Sequence, residues 1–181
     1  SLYSRFRYTT NPGEANTPTG VANSGEVEDY VLMSLGDFVW RDDGSGGGTP
    51  DDGIWQTTEP VISNVVLVLL NSSGITVTDG AGNAVTTTTD ANGRYLFTGL
   101  TPGDYSVLVA PGNFQSGGSL AGLSSSTGAG APNNNLNETA DENGIDNAAP
   151  EVNGIRSGNI TLVIGTEPIT DTPSGSGGDA N

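Results

Sequence analysis

Cysteine, histidine and lysine are all missing from this chain of 181 residues, and each absence closes off a chemistry. Without cysteine or histidine there is no zinc, copper, haem or iron–sulfur site of the usual kind, no thiol nucleophile and no Ser–His pair. Positive charge is scarce too. Its only carriers are Arg5, Arg7, Arg41, Arg94 and Arg156, against 21 acidic residues, for a net charge of −16. Nucleic acid and anionic membranes are poor partners for such a surface. Hard, oxygen-binding cations are the metals that remain. No apolar run approaches the roughly 18 residues of a membrane span, so this segment is not expected to insert. The longest run, Val65 to Leu70, has the length of a buried strand. Ser1 to Thr10 lacks the apolar core of a signal peptide, so export signals and anchors are expected outside this segment.

What the chain does have is glycine, at 28 positions, with a third of its residues apolar and grouped in short runs between turn formers. That composition describes a loop-rich β protein rather than a disordered one. Leu2 to Thr9 alternates large apolar with polar residues, the period of a half-buried strand. After a Pro/Gly/Asn/Thr loop over Asn11 to Ser24 come two expected strands, Glu26–Met33 and Gly36–Trp40, with almost no linker. That abruptness suggests two modules joined end to end. Further strands are expected at Val65–Leu70, Ile75–Thr78, Ala84–Thr89, Arg94–Phe97, Tyr105–Ala110 and Ile160–Ile164. Asn92-Gly93 and Pro102-Gly103 mark tight turns. Asp42 to Pro60 is a Gly/Asp loop too long to be idle in a compact domain without an organising ligand. Gly112 to Ala149 reads as a long, partly ordered loop, and Thr166 to Asn181 as a polar tail. Closely spaced strands with no amphipathic helix indicate an all-β fold, a β-sandwich with long Gly/Asp-rich loops.

Several stretches together resemble the B-type repeat of staphylococcal serine-aspartate repeat adhesins, an SdrD B-like domain related to the collagen-adhesin B-type sandwich. They are Gly36-Asp37-Phe38-Val39-Trp40, Asp42, Asp52-Gly53-Ile54 with Glu59, Val65 to Leu69, Thr89 to Phe97, and Leu100 to Tyr105. Arg5-Phe6-Arg7-Tyr8 with Gly25 to Tyr30 is similar to the C-terminal end of a GEVED-type domain. The resemblance implies an Ig-like or prealbumin-like Greek-key sandwich over 35–165, preceded by the last strands of a GEVED-like module over 1–34 and followed by a tail or linker over 166–181. It also leads one to expect a closing strand after the acidic C-terminal loop, and nothing after Asp171 reads as one.

The family's loop further implies calcium. It resembles an EF-hand, with ligands at positions 1, 3, 5, 7 and 12 and glycine at 6. With Asp52 at position 5, Gly53, Ile54, Gln56 and Glu59 fall at 6, 7, 9 and 12. The first half departs from the pattern. A Gly-rich insertion moves the first ligand back to Asp42, and Asp43 or Asp51 stands in for the third. The expected ligands of Ca2+ are thus Asp42, Asp43, Asp51, Asp52, Ile54 and Glu59, the alternative being a solvated acidic loop with no ion.

Other candidates carry two readings each. Glu138, Asp141, Glu142, Asn143 and Asp146 around Gly144 form either a second cation site or a polar surface loop. Asp37 and Asp90 raise the ligand question again, but Asp90 precedes an Asn-Gly turn and reads first as a turn former. Trp40, Tyr95 and Phe97 sit in strand patterns and read as core, which leaves Trp55 as the aromatic for contact with a partner. Asn71, Asn137 and Asn159 match the Asn-x-Ser/Thr sequon, and Thr86 to Thr89 reads either as an exposed strand or as an O-glycan acceptor. A Lys–Asn isopeptide bond, common in collagen-adhesin-type domains, is excluded by the absence of lysine.

The reading these features support is non-enzymatic: an extracellular module of a bacterial surface or fibre protein, stiffened by calcium. Its expected partners are neighbouring modules or copies of itself, through β-strand addition by Leu2–Tyr8. An adhesin binding a host, matrix or glycan ligand is the alternative. Catalysis by paired carboxylates is set aside because the acids lie in Gly-rich loops rather than on rigid strands lining a cleft.

Overall fold

The computed structural model describes residues 2–8, 26–50, 55–124, 144–145 and 147–165. Among these, eight strands form two antiparallel sheets. The first sheet is built on β2, Glu26–Phe38. Its N-terminal half pairs with β1, Leu2–Tyr8, from Leu2 opposite Leu32 to Tyr8 opposite Glu26. After a register shift between Met33 and Ser34, its C-terminal half pairs with β5, Arg94–Leu100.

Two strands were expected between Glu26 and Trp40, and one continuous strand is found. The expected junction between Met33 and Gly36 carries a register shift between Met33 and Ser34 in place of a break, and Gly36 lies within the strand. A Cβ there would lie 2.4 Å from the Tyr95 carbonyl oxygen, so glycine is required for β2 and β5 to approach.

In the second sheet, β3 (Val66–Asn71) lies between β4 (Thr86–Thr88) and β6 (Gly103–Val109). The other edge of β6 carries β7 (Ile155–Arg156) and β8 (Ile160–Leu162). The central position of β3 explains why Val65 to Leu70 is apolar on both faces. Val65, Leu67 and Leu69 alternate into the core with Val107, Ile160 and Leu162, packed with Met33 and Leu35 of β2 and Phe97 and Leu100 of β5. Leu70 and Ser106, opposite each other on β3 and β6, are also buried but on the outer face. Arg156 reaches across from β7, its Nε donating to Ser106 Oγ at 2.9 Å and its Nη2 to Asn159 Oδ1 at 3.1 Å. The sequon residue Asn159 is therefore occupied in holding this arginine.

The expected strands Ile75–Thr78 and Ala84–Thr89 shrink to single bridges, Leu70–Thr76 and Thr78–Ala84, plus the short β4. The stretch read as a loop from Gly112 is anchored at its start. Pro111–Phe114 forms a 3-10 turn, Asn113 is buried, and Leu120 enters the core. A four-residue helix, Pro150–Asn153, leads into β7, which the composition did not reveal. Among the described residues no helix is long and apolar enough to cross a membrane.

One turn recurs three times along the sheets. Asn71, Asp79 and Asp90 each accept, through Oδ1, the backbone N–H groups two and four residues later, over 2.8–3.0 Å. The residue before the last donor is a left-handed glycine: Gly74 (φ 77°), Gly82 (φ 85°) or Gly93 (φ 74°). Glycine adopts this conformation without steric cost, and the Asx side chain replaces a backbone acceptor.

Asp90 is thus a turn former, as its Asn-Gly neighbour indicates. The backbone N–H of Arg94, then that of Asn92, hold its carboxyl below the usual range. The backbone N–H of Asn83, then its side chain, do the same for Asp79. A carboxyl with a depressed folded pKa contributes stability above its unfolded value, and that contribution disappears as pH falls through the folded one. Asn71 shows that asparagine makes the same turn without a titration. The double variant Asp79→Asn, Asp90→Asn is therefore expected to match the parent at neutral pH and to unfold at a lower pH in an acid titration followed by circular dichroism.

Candidate metal centre

The sheet geometry brings the two ends of the Gly/Asp loop together. Beyond β2, Val39 N–H donates to the Gly93 carbonyl at 2.8 Å, and Ile62 N–H returns to the Val39 carbonyl at 2.7 Å. Trp40 bridges Val61, and Arg41 N–H donates to the Pro60 carbonyl at 2.8 Å. Asp42 and Glu59 consequently flank one short antiparallel neck, although far apart in a Gly-rich stretch of sequence.

Inside the neck the glycines let the chain fold back closely. Gly44, Gly46 and Gly47 take φ of 69°, 82° and 106°. A Cβ on Gly46 would fall 2.0 Å from the Thr58 carbonyl oxygen. A Cβ on Gly48 would lie 2.5 Å from Gln56 Oε1 and 2.7 Å from Glu59 Oε1. Gln56 Oε1 accepts from Thr49 N–H at 3.1 Å, and Gln56 N–H donates to Glu59 Oε2 at 3.0 Å. The 44–50 arm is thus laid against residues 56–59, with amide and carboxylate oxygens between them.

Glu59 is the most unusual residue of this loop, with 4 % of its surface exposed. A carboxylate taken out of water carries a large desolvation cost that a cation or several donors must offset. Asp42 is half-buried, and its Oδ1, like Glu59 Oε1, is a buried oxygen; each residue also makes other interactions. Asp43 is more exposed: it forms an ion pair with Arg41 and accepts Ser45 N–H at 2.9 Å. Hydrogen bonds from Ser45, with Arg41 adding its charge, hold the Asp43 carboxyl below the usual range.

The expected ligands Asp51, Asp52 and Ile54 lie outside the described residues, as do Glu138, Asp141, Glu142, Asn143, Asp146 and the sequon Asn137. Among the described residues no three acidic side chains gather closely enough to hold a metal ion. The donors present are nevertheless of the right chemistry for calcium, namely carboxylate and amide oxygens with glycines clearing the space between them. Asp37, by contrast, accepts its neighbour's N–H, from Phe38 at 2.8 Å.

Aromatic rings form the floor of the loop. Phe38 lies 5.4 Å from Trp40 and 4.7 Å from Trp55, the latter edge-on. Trp55 is therefore not a free contact aromatic: it is half-buried and packs on β2. Sequence reading missed this because Trp55 stands in a polar stretch with no periodic neighbours. Tyr95 and Phe97 meet edge-on at 6.1 Å, and of the pair Phe97 is fully in the core.

Comparison with known proteins gives a consistent family signal. Residues 33–144 match the model of the SdrD B-like domain. A serine-aspartate repeat-containing protein F from Staphylococcus epidermidis is 45% identical over 74 residues, covering 41% of this chain and 4% of that protein. A bone sialoprotein-binding protein and a serine-aspartate repeat-containing protein E, both from Staphylococcus aureus, are each 42% identical over 74 residues, covering 41% of this chain and 5% of theirs. The chain thus spans only 4% to 5% of the length of these curated relatives. Among solved structures, a variant of BcpA, the major pilin subunit of Bacillus cereus, aligns with TM-score 0.29 and 14% identity, over 59% of this chain and 25% of that one. The family match begins at residue 33, past the strand pair on which the similarity to a GEVED-type domain rests.

Proposed function

The chain belongs to the SdrD B-like domain family, and from that premise we propose that it is a non-enzymatic structural module of a bacterial surface or fibre protein, held rigid by calcium in the 42–59 loop. The observation that carries the calcium reading is the buried Glu59 carboxylate, set beside Gln56 Oε1 and against Gly48, where no side chain fits. Asp42 and Glu59 would hold the ion from the two sides of the neck, with Asp51, Asp52 and the Ile54 carbonyl from the loop between them. Asp43 joins only by leaving Arg41. Bound there, calcium neutralises clustered carboxylates and fixes an otherwise Gly-rich loop. With neither disulfide nor isopeptide available, the ion is the cross-link this chemistry leaves.

On this reading the module sits outside the cell, between neighbouring modules or copies of itself. The all-β sandwich supplies stiffness, and β2 runs unbroken from the β1 pairing into the sandwich, a mechanical continuity suited to a stalk. Division into a GEVED-like 1–34, a sandwich over 35–165 and a tail over 166–181 is part of this proposal. Strand exchange through Leu2–Tyr8 would have to use its second edge or open the β1–β2 pair, since β2 of the same chain already engages it. The packing of Trp55 on Phe38 favours the structural reading over a ligand-binding one.

The test is a calorimetric calcium titration of the parent and of Glu59→Gln, which keeps the shape and the hydrogen-bond acceptor but loses the charge. Binding is expected in the parent, with affinity at least about ten-fold weaker in the variant, because the bidentate acid at this loop position dominates such sites. Equal affinity in the two would remove Glu59 from the site.

A further inference from the structure

The outer face of the second sheet carries two transverse rows of exposed and half-buried side chains. In one, Thr86 of β4 stands opposite Val68 of β3, Val68 opposite Leu108 of β6, Leu108 opposite Arg156 of β7, and Arg156 opposite Ile145. In the next, Thr88 lies opposite Val66, and Ala110 N–H donates to the Val66 carbonyl at 3.0 Å. Paired positions present their side chains on one face of a sheet. The core lies on the other face, with Val65, Leu67, Leu69 and Val107. Val66 is 40 % exposed and Ile145 44 %, while Val68, Leu108 and Ala110 are half-buried.

Charge says what can lie there. Neither row holds a carboxylate, in a chain with 21 acidic residues and a net charge of −16, and the one ionic group is Arg156. The outward acid of β6, Asp104, stands beyond the buried Ser106 and accepts Thr161 Oγ1–H at 2.6 Å. Two copies that met through their acidic loops would set like charges together, which is strongly unfavourable. Through these rows they meet without that penalty. On the first sheet, Arg94 and Leu96 also face outward, but there only β2 and β5 are paired, and the ring of Trp55 sits against Phe38.

We infer that the outer face of the second sheet is a self-association surface, on which a second copy of this chain docks face to face. The inference deepens the reading in which copies of the module are its partners, and it does not depend on the calcium loop. Two sheets packed face to face keep their strands roughly aligned, and a two-fold axis makes such a contact closed. With that axis parallel to the strands over Leu108, Thr86 comes opposite the partner's Ile145 and Val68 opposite the partner's Arg156. The two guanidinium groups are thereby kept apart. At a strand spacing of about 4.8 Å and a rise of about 3.3 Å per residue, the face offers roughly 400 Å² to each copy. That is about half of what a stable complex takes. The contact is therefore weak, and it gains force where copies are held side by side at high local concentration.

The test is sedimentation equilibrium of the parent, Val66→Asp, Ile145→Asp and Leu96→Asp, up to about 1 mM, a range suited to a contact of half the standard area. The parent is expected to dimerise reversibly, more strongly in high salt, because salt screens the repulsion between two acidic chains. Val66→Asp and Ile145→Asp should weaken the dimer about ten-fold or more, since each acts twice across a two-fold contact. Leu96→Asp adds the same charge to the other sheet and should leave dimerisation unchanged. Unfolding midpoints check that each variant is folded, and Thr86→Asp, on the short edge strand, replaces either of the first two if it is not. Dimerisation lost equally in Leu96→Asp would overturn the inference in favour of a contact through the first sheet, and dimerisation that high salt abolishes would overturn it in favour of ion pairs. A parent that stays monomeric would overturn it too, and would leave the calcium-stiffened module standing, because that is read separately from unfolding in chelator.

Discussion

Asn113→Ala is expected to destabilise the sandwich by about 2–3 kcal/mol, although the residue lies in a stretch whose composition reads as loop. Asn113 is 5 % exposed and its side chain extends the β3–β6 ladder past its last strand pair, Leu67 with Val109. Oδ1 accepts Val66 N–H at 2.9 Å, and Nδ2 donates to the Val66 and Ala110 carbonyls at 2.8 Å each. The two carbonyls keep second donors, Ala110 N–H and Asn113 N–H, both at 3.0 Å. The Val66 N–H loses the acceptor described for it, and that loss dominates the estimate. For a chain of this size the midpoint should fall by about 5–10 °C. Asn113→Asp keeps the acceptor but turns a carboxylate toward two carbonyl oxygens, so at neutral pH it should lose at least as much as alanine. Thermal unfolding of both variants in saturating calcium checks the order. A change of less than about 1 kcal/mol in both would show that the ladder extension is replaced by solvent.

This residue also shows where sequence reading ends. Strands with internal rhythm were legible: Val65–Leu70 as a doubly apolar central strand, Tyr105–Ala110, and Arg94–Phe97 after its Asn-Gly turn all appear close to where the pattern puts them. Elements that depend on a distant partner were not. Asn113 and Leu120 look like loop residues because their roles exist only against β3 and the core. Two-residue β7 has no period to detect. The close approach of β5 that requires glycine at position 36 likewise gives no signal until the neighbouring strand is in place.

The loop divides the same way. Chain order and the resemblance connected Asp42 with Glu59, and the structure sets them on one neck through the Arg41–Pro60 hydrogen bond. The burial of Glu59 and the oxygen pocket at Gly48 had no sequence signal beyond glycine itself. Nor did the engagement of Asp43 by Arg41, since an arginine two residues from an acid is as often solvated as paired. Trp55 read as a contact residue because sequence shows polarity of context and not the ring of Phe38 beneath it.

Calcium removal is the second large effect expected. An ion that binds only the folded loop stabilises by about 2.7 kcal/mol when present at a hundred times its dissociation constant, which corresponds to about 5–10 °C in the midpoint for this size of chain. Without the ion, Glu59 remains buried in a chain of net charge −16, and its desolvation is left to protein donors such as the Gln56 N–H. Partial protonation at low pH should narrow the gap between loaded and stripped protein, because metal binding needs ionised carboxylates.

Thermal unfolding in excess calcium and again in chelator, on the parent and on Asp52→Ala with Glu59→Ala, tests the central claim most directly. A midpoint that falls by about 5–10 °C on chelation in the parent, and does not move in the double variant, is the result expected of a module held rigid by an ion in the 42–59 loop. An unchanged midpoint in the parent would contradict it and leave a sandwich whose stiffness comes from its strands alone.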